Sequence, residues 1–352
     1  MFAVNPREST VFVGFRFFVL IKLDSKETTA MNPINKTFRQ IKMDGHVEEF
    51  DAAVEAYESI DGIGERSRAT MLNNCRSIAW FVRSQSSGTV RVFSNACHQR
   101  WCPVCSGAKA MYITNTITDW LKQTDHPKLL TLTLKHRSDG LTEQINSLYE
   151  AFRKLRSRVV FKRPIFGGIW FFQVHRSKTD GMWHPHLHCL VEGRYLNKST
   201  LSALWQDITH TSKIVDIRAV KNPEAMAKYV ARYAARPANL IELDPDSRVE
   251  VICALHGRRL CGCWGSAKGV SLKPKKVAEK DEWQAIGNWS TVLNLVGKDS
   301  MADTIYRAWL SGETVPADCT FERIDRFIEN KLSEPCGESP PPDPQKWLNF
   351  YN

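Results

Sequence analysis

The stretch GIWFFQVHRSKTDGMWHPHLHCLVE, Gly168–Glu192, predicts the centre of the fold. Two runs rich in aromatic and β-branched residues, Gly168–Arg176 and Trp183–Glu192, are joined by a polar segment that contains Asp180-Gly181. An Asp-Gly pair between two such runs is typical of the turn of a β-hairpin. We therefore expect two neighbouring antiparallel strands here.

The sequence on either side of this hairpin predicts the rest of an α+β domain. The expected strands are Lys128–Lys135 and Lys213–Val220, and the expected helices are 142–158, 198–209 and Pro223–Ala235. Thr142 is the expected N-cap of the first helix. The order strand, helix, strand, strand, helix, strand, helix indicates an antiparallel sheet that helices cover on one side.

Three histidines share one face of the second hairpin strand. His184, His186 and His188 occupy alternate positions, so their imidazoles project from the same side, opposite an apolar side. Imidazoles spaced about 7 Å apart along a strand can converge on one divalent metal, and His suits Zn, Mn, Fe or Ni. A single His is most often a surface or core residue, but this pattern favours a metal site.

Two tyrosines lie four residues apart on the last predicted helix. In MAKYVARYAARP, this spacing places Tyr229 and Tyr233 on one helical face, and Lys228 and Arg232 each precede a tyrosine. A tyrosine hydroxyl can attack a phosphodiester when a metal and cations stabilise the developing charge. Taken alone, such a pair is more often two half-buried residues of an amphipathic helix.

The histidine strand and the tyrosine helix together resemble the HUH endonucleases, in particular the rolling-circle initiators of plasmids and small single-stranded-DNA phages. Three stretches carry the resemblance in the family's order: LLTLTLKH (Leu129–His136), HPHLHCL (His184–Leu190) and YVARYAAR (Tyr229–Arg236). The resemblance covers roughly residues 75–270. It implies an HUH domain of ferredoxin- or RRM-like topology, with an antiparallel sheet and flanking helices.

The resemblance also implies an activity. His186 and His188 would hold a catalytic Mg²⁺ or Mn²⁺, and Tyr229 or Tyr233 would nick single-stranded origin DNA. The products would be a 5′-phosphotyrosine and a 3′-OH that a host polymerase extends, before the DNA is rejoined and rolling-circle replication ends. Because the sequence contains no GxxxxGK[ST] loop, a host helicase is the expected unwinding partner. Lys228 and Arg232 would neutralise phosphate charge.

Two positions depart from the family's pattern. Tyr229 stands where single-tyrosine plasmid initiators carry an acidic residue, which favours the two-tyrosine, phage-like type. Gln173 stands where the family often has a Glu as the third metal ligand. Because an amide oxygen is a weaker ligand than a carboxylate, the third ligand stays open among Gln173, His175 and His184.

A group of cysteines precedes the first of these stretches. Cys97, Cys102 and Cys105 are spaced as C-x4-C-x2-C, and Cys75 lies twenty-two residues before them. Four thiolates predict a closed, tetrahedral structural Zn²⁺ site, with His98 as the substitute ligand if Cys75 lies elsewhere. Such a site would order a small lobe that has no large core of its own.

A weaker cluster follows the tyrosine helix. Its members are Cys253, His256, Cys261 and Cys263. Cysteines at positions i and i+2 suit a zinc knuckle poorly, so we expect these thiols to be reduced and without metal. The resemblance makes this stretch a pair of strands, with Arg258 and Arg259 on DNA.

Composition agrees with a nucleic-acid partner. The chain has 352 residues, a formal net charge of +10 and a sequence pI of about 9.1. A phosphate polymer is the natural partner for such an excess of cations, although many basic proteins bind no nucleic acid. Val11–Leu23 is apolar but carries Arg16 and Lys22 and is too short for a span of about 20 residues. We therefore expect a cytoplasmic protein without a membrane contact, whose ten cysteines serve metal binding or burial.

The sequence predicts the following division. Residues 1–30 would be a peripheral extension or an over-long start before Met31, 31–110 a zinc-stabilised lobe, 111–272 the HUH catalytic domain, and 273–352 a C-terminal extension. The extension is expected to contain helices at 301–310 and 320–332 and to end in a Pro-rich, unstructured tail.

Three other functions stay open. A two-tyrosine single-strand transposase would use the same chemistry on different DNA ends. A conjugative relaxase is less favoured, because relaxases usually place the tyrosine before the histidines. A zinc-bearing DNA-binding regulator with an inactive nuclease site would bind DNA and leave it uncut, which a cleavage assay decides.

Overall fold

The computed structural model describes residues 37–60, 62–135, 137–273, 282–317 and 319. They form two antiparallel sheets with flanking helices, which confirms the predicted α+β class. The predictions for residues 1–30, for the helix at 320–332 and for the Pro-rich tail concern residues outside this set, as does His136. Among the residues just given, no helix combines the length and the apolar character that crossing a bilayer requires.

The helices and strands follow in chain order. The helices are α1 (Phe38–Met43), α2 (Val47–Ser59), α3 (Ile63–Asn73), α4 (Pro103–Lys122), α5 (Leu141–Ser157), α6 (Val159–Lys162), α7 (Lys198–Thr209), α8 (Pro223–Ala235), α9 (Pro245–Leu255), α10 (Trp289–Leu295) and α11 (Ser300–Ser311). The strands are β1 (Ala79–Ser84), β2 (Val90–Ser94), β3 (Lys128–Thr133), β4 (Ile165–Arg176), β5 (Trp183–Gly193), β6 (Val215–Ala219), β7 (Cys261–Gly265) and β8 (Trp283–Asn288).

The larger sheet has the strand order β6-β3-β5-β4-β7 and is antiparallel throughout. Its centre is the predicted β4–β5 hairpin, which pairs from Arg176 opposite Trp183 onward. Gly181 in the turn has a φ of 67°, a left-handed conformation that glycine adopts without the steric cost of a side chain. The register of β3 against β5 places Thr131 opposite His188 and Thr133 opposite His186.

Helices cover both faces of this sheet, whereas the sequence pattern predicted helices on one side. On one face, Phe172 and Leu187 pack in a hydrophobic cluster with residues of α2, α5, α7 and α9. On the other face, Leu129, Phe171 and Leu190 pack against α4 and α8. The central strands therefore carry apolar residues on both sides, and each apolar surface needs its own covering layer.

Two local predictions are wrong in detail. α5 begins at Leu141, so Thr142 lies within its first turn and does not cap it. The Leu141 amide instead donates to the Glu250 carboxylate at 3.0 Å, and this long-range contact replaces a local cap. The expected pair of strands between Cys253 and Cys263 is also absent among the described residues, because Cys253 lies on α9 and only β7 is a strand.

The smaller sheet joins the two ends of the described chain. Its order is β2-β1-β8, so a strand from the predicted C-terminal extension pairs with a strand of the N-terminal lobe. Phe81 of β1 stacks on Trp289 of α10 with ring centroids 5.2 Å apart. α4 also crosses residue 110. The division predicted at residues 110 and 272 stays a prediction.

Candidate metal and tyrosine site

Three neighbouring strands assemble the histidine site. His184 and His188 are buried, with 8% and 6% of their surfaces exposed, and His186 between them is half-buried. These imidazoles lie on the sheet face that α4 and α8 cover, while Leu187 and Cys189 enter the core on the opposite face. The alternation predicted from the sequence is confirmed.

Strand β4 adds two further groups to this face. Gln173 Oε1 lies 2.7 Å from His188 Nε2, and His175 Nδ1 lies 3.2 Å from His186 Nε2. The His175 ring also stacks on His184, with centroids 4.8 Å apart. One nitrogen from each of His175, His184 and His186 lies within 4.8 Å of the others, so these three side chains could hold a metal ion. Two of the three candidates for the third ligand, His175 and His184, thus form one group with His186, whereas Gln173 contacts His188, which lies outside this group.

Two threonines of β3 orient the histidines. Thr131 Oγ1 lies 3.2 Å from His188 Nδ1, and Thr133 Oγ1 lies 2.9 Å from His186 Nδ1. A partner on Nδ1 fixes the ring and leaves Nε2 for a ligand, as second-layer groups do in metal sites. The sequence analysis missed both threonines, although their alternation with leucines in Leu129–Thr133 was the signal that they share one face.

Burial keeps one of the histidines neutral. The pKa of His188 is lowered to about 4, first by burial and to a smaller extent by the positive charge of Arg218. A neutral imidazole has a lone pair available for a metal at physiological pH. His188 is therefore in the protonation state that ligation requires.

The tyrosines lie directly against this histidine face. α8 begins after Asn222, whose side chain accepts from the Ala225 amide, and buries its small residues on the sheet. Tyr229 and Tyr233 are half-buried on the same helical face, as predicted. The Tyr233 ring stacks on His188 at 4.7 Å with an interplanar angle of 18°, and Tyr229 contacts the same imidazole edge-on at 5.8 Å.

One of the two predicted cations contacts both phenols. The Arg232 guanidinium lies 5.5 Å from the Tyr229 ring centroid and 6.0 Å from that of Tyr233. Burial raises the pKa of Tyr233 well above its ordinary value, and the neighbouring Tyr229 raises it further, whereas Arg232 lowers it. Lys228 is exposed on the same helix, one residue before Tyr229. Tyr233 therefore keeps its proton until further positive charge approaches it.

The four predicted cysteines form a second group that could hold a metal ion. Cys75 and Cys105 have sulfurs 3.7 Å apart, Cys75 and Cys102 also 3.7 Å, and Cys97 and Cys105 3.8 Å. Four sulfurs bound tetrahedrally to Zn²⁺ at about 2.3 Å would be separated by about 3.8 Å. These distances fit the predicted zinc geometry. Cys75 completes the set, and His98 is exposed outside the group.

The cysteine group lies where α4 begins. Cys102 is the N-cap of α4 and Cys105 lies in its first turn, so the site holds the start of the helix that packs on α8. A hydrogen bond from Cys102 is the largest of the contacts that hold the pKa of Cys105 below its ordinary value, and Arg76 adds a smaller attraction. A thiolate, the form that ligates a metal, is thus favoured at this position.

The remaining predicted site residues lie elsewhere. Cys253, Cys261 and Cys263 belong to neither of the two groups that could hold a metal ion among the described residues. Arg258 and Arg259 lie between α9 and β7, and Arg258 donates to the Asn146 side chain at 2.7 Å. Among the described residues, no hydrogen bond, ion pair or ring contact joins Arg258 or Arg259 to the site histidines or to Tyr229 and Tyr233.

Comparison with known proteins identifies the family of this chain. A family model described as replication protein matches residues 90–309, which is more than half of the chain. This range includes the histidine strand, the tyrosine helix and three of the four clustered cysteines. No solved structure matches the chain.

Three curated relatives bear the name Protein rep. The relative from Staphylococcus aureus is 26% identical over 190 residues, which are 47% of this chain and 82% of the relative. The relative from a Bacillus species is 25% identical over 187 residues, 47% of this chain and 61% of the relative. The relative from Bacillus amyloliquefaciens is 24% identical over 170 residues, 44% of this chain and only 50% of the relative. In agreement with the resemblance to replication initiators, the chain belongs to the replication protein family.

Proposed function

We propose that this protein initiates rolling-circle replication by nicking single-stranded origin DNA with a tyrosine nucleophile in an HUH domain. The observation that carries the proposal is the contact of Tyr229 and Tyr233 with one imidazole, His188, on the strand face that also carries the group of His175, His184 and His186 that could hold a metal ion. Membership of the replication protein family supports the biological role. A two-tyrosine transposase would share the chemistry, but the family match favours replication.

The histidine face fits a catalytic divalent ion. The candidate ligands are the imidazoles of His175, His184, His186 and His188 and the Gln173 amide. A bound Mg²⁺ or Mn²⁺ would polarise the scissile phosphate as a Lewis acid. We assign His186 and His188 as ligands, with Gln173, His175 and His184 as the candidates that complete the site. This donor set also accepts softer ions, because it contains no carboxylate.

The chain's own residues account for the bond changes. The Tyr229 or Tyr233 oxygen forms a bond to the scissile phosphorus, and the bond from phosphorus to the 3′ oxygen breaks. The phenolic proton is balanced by the proton that the leaving oxygen gains, which yields a 5′-phosphotyrosine and a free 3′-OH. Arg232 lies beside both phenols and would stabilise the phenolate and the phosphate charge, with Lys228 as the second cation.

The position of both tyrosines supports an exchange between them. Their ring centroids are 5.2 Å apart, so either hydroxyl lies within reach of one phosphate position. One tyrosine would hold the 5′ end while the other attacks the regenerated junction, rejoins the DNA and ends replication. The 3′-OH would prime a host polymerase, and a host helicase would unwind the duplex.

The cysteine group has a structural role in this proposal. Zn²⁺ on Cys75, Cys97, Cys102 and Cys105 would close a four-ligand site without an open position for substrate. The site would fix the start of α4 and thereby the surface on which the tyrosine helix packs.

Covalent trapping tests the proposal. The protein is incubated with labelled single-stranded DNA that tiles its replicon's origin, with Mn²⁺ or Mg²⁺, and is resolved on a denaturing gel. We expect a label at protein mass that survives SDS and disappears with EDTA or with combined Tyr229→Phe and Tyr233→Phe substitution. Tyr195→Phe is the matched control, because Tyr195 is 79% exposed and follows the far end of β5.

Two results of this experiment would contradict the proposal. If the protein binds DNA but no adduct forms over the complete tiling, the nicking mechanism is wrong and the chain is a DNA-binding regulator. An adduct that persists in the double phenylalanine variant would exclude these tyrosines as nucleophiles.

A further inference from the structure

A cleft lies apart from the histidines and tyrosines of the candidate site. It has a volume of about 250 Å³ and is bounded by α3, by the segment between Cys97 and Cys102, and by the end of α9. Its walls include Tyr57 and Trp101, which belong to the hydrophobic cluster on the sheet face opposite the histidines. The cleft is therefore separate from the site proposed for cleavage.

Positive and hydrogen-bonding groups converge on this cleft. The Arg68 guanidinium donates to His256 Nε2 at 2.7 Å, which joins two walls of the cleft. Arg100 is anchored by donating to the main-chain oxygens of Leu255 at 2.7 Å and Arg258 at 3.1 Å. Among the described residues that line the cleft, none is Asp or Glu. The site is thus suited to an anion, which would not be repelled by any carboxylate in its walls.

The predicted zinc site builds one wall of this cleft. Gln99, Arg100 and Trp101 lie between Cys97 and Cys102, so ligation at both ends would hold this short segment in place. Within this segment, the Arg100 guanidinium and the Gln99 amide line the cleft together with Trp101, which is 7% exposed. Guanidinium groups bind phosphate, and amide and aromatic groups contact nucleobases.

We propose that this cleft binds one nucleotide of the single-stranded DNA substrate, at a position other than the cleaved phosphate. The phosphate would contact Arg68, Arg100 and His256, and the base would contact the Gln99 amide and the small exposed part of Trp101. The volume of about 250 Å³ lies below the range of about 300–1,000 Å³ for sites that enclose drug-sized ligands, so the cleft would hold no more than one nucleotide. The inference rests on the proposed function for the identity of the ligand, and a free mononucleotide is the alternative source of the same chemistry.

Arg68→Gln tests the cleft, with Arg66→Gln as its matched control. Both residues lie on α3, both substitutions remove one charge, and Arg66 is exposed and does not line the cleft. The probe is a fluorescent single-stranded oligonucleotide of about 30 bases from the replicon's own origin, a length that spans several binding positions. Affinity is measured by anisotropy over a series of salt concentrations.

The two substitutions should differ. Arg68→Gln should weaken binding about tenfold and make the dependence of log affinity on log salt shallower by about 0.7, the value for one lost phosphate contact on a single strand. Arg66→Gln should change the affinity by less than about twofold, as expected for a screened surface charge. Arg68→Lys should recover most of the affinity, and thermal unfolding verifies that each variant is folded.

The outcomes separate this inference from the proposed function. If the wild type forms the covalent adduct but Arg68→Gln binds DNA like Arg66→Gln, the cleft assignment is overturned and the nicking proposal stands. If no adduct forms but Arg68→Gln selectively weakens binding, the cleft assignment stands and the nicking proposal fails. If thymidine monophosphate alone binds in an Arg68-dependent manner while DNA affinity is unchanged, the cleft serves a free nucleotide and the DNA assignment is overturned.

Discussion

Replacing Thr133 by Val should weaken metal binding while leaving the fold intact. Val has the shape of Thr and suits a strand, so β3 should keep its register. Thr133 Oγ1 lies 2.9 Å from His186 Nδ1, and a metal on Nε2 requires that Nδ1–H donate to this oxygen. The substitution leaves that N–H without its acceptor in a half-buried position, which costs about 1–3 kcal/mol.

This cost appears in the metal affinity, because the orientation of His186 matters most in the metal-bound state. A loss of about 1–3 kcal/mol corresponds to a five- to about 150-fold higher Kd, which overlaps the range of about 10–100-fold expected for groups that support a ligand. The Kd for Mn²⁺ is measured by calorimetry on protein whose cysteine group is loaded with zinc. Adduct formation should recover when Mn²⁺ is raised above the new Kd.

Thr116→Val is the control for this prediction. Its hydroxyl donates only within α4, to the Tyr112 carbonyl at 3.1 Å. The control should bind Mn²⁺ as the wild type does. If Thr133→Val also binds Mn²⁺ within about twofold of the wild type, then Thr133 does not orient a ligand and the placement of the metal on this face is wrong.

Two further predictions concern the cysteines and the pH dependence. Cys105→Ser should abolish the bound zinc measured by atomic absorption and destabilise the protein by more than about 3 kcal/mol, because zinc binding contributes to folding. The control substitution Cys253→Ser should change neither the zinc content nor the stability. Retention of a full zinc equivalent in Cys105→Ser would contradict the four-cysteine site. In protein that keeps zinc on its cysteine group and has no metal on the histidine face, stability should fall as the pH drops from 6.5 toward 4. Burial lowers the pKa of His188 to about 4, so only the unfolded chain takes up the proton in this range. The expected loss in unfolding free energy is about 3 kcal/mol, and it should be missing in His188→Gln. The measurement is urea unfolding at several pH values. Equal pH profiles for the wild type and His188→Gln would refute the prediction.

Local sequence patterns were sufficient for the elements that carry the candidate site. The period of two in HPHLH placed three imidazoles on one strand face, because alternation is a property of the extended chain itself. The spacing of four placed Tyr229 and Tyr233 on one helical face for the same kind of reason, and the structure has α8 over Pro223–Ala235 as predicted. The short spacing of Cys97, Cys102 and Cys105 likewise predicted their convergence.

Contacts that depend on which helices and strands pack together could not be predicted from the sequence. The contacts of His186 with Thr133 and His175 follow from the register of three strands, and a shift by one residue would replace every one of them. The pairing of β8 with β1 joins residues about 200 positions apart, which no local pattern encodes.

The second layer of helices and the contact of Glu250 with the start of α5 likewise depend on contacts between residues that are distant in sequence. The sequence by itself determined the type and the faces of the elements that carry the candidate site, because these follow from the geometry of a single strand or helix. The tertiary structure alone decided the partners of each face, because burial of apolar surface selects among pairings that are locally equivalent.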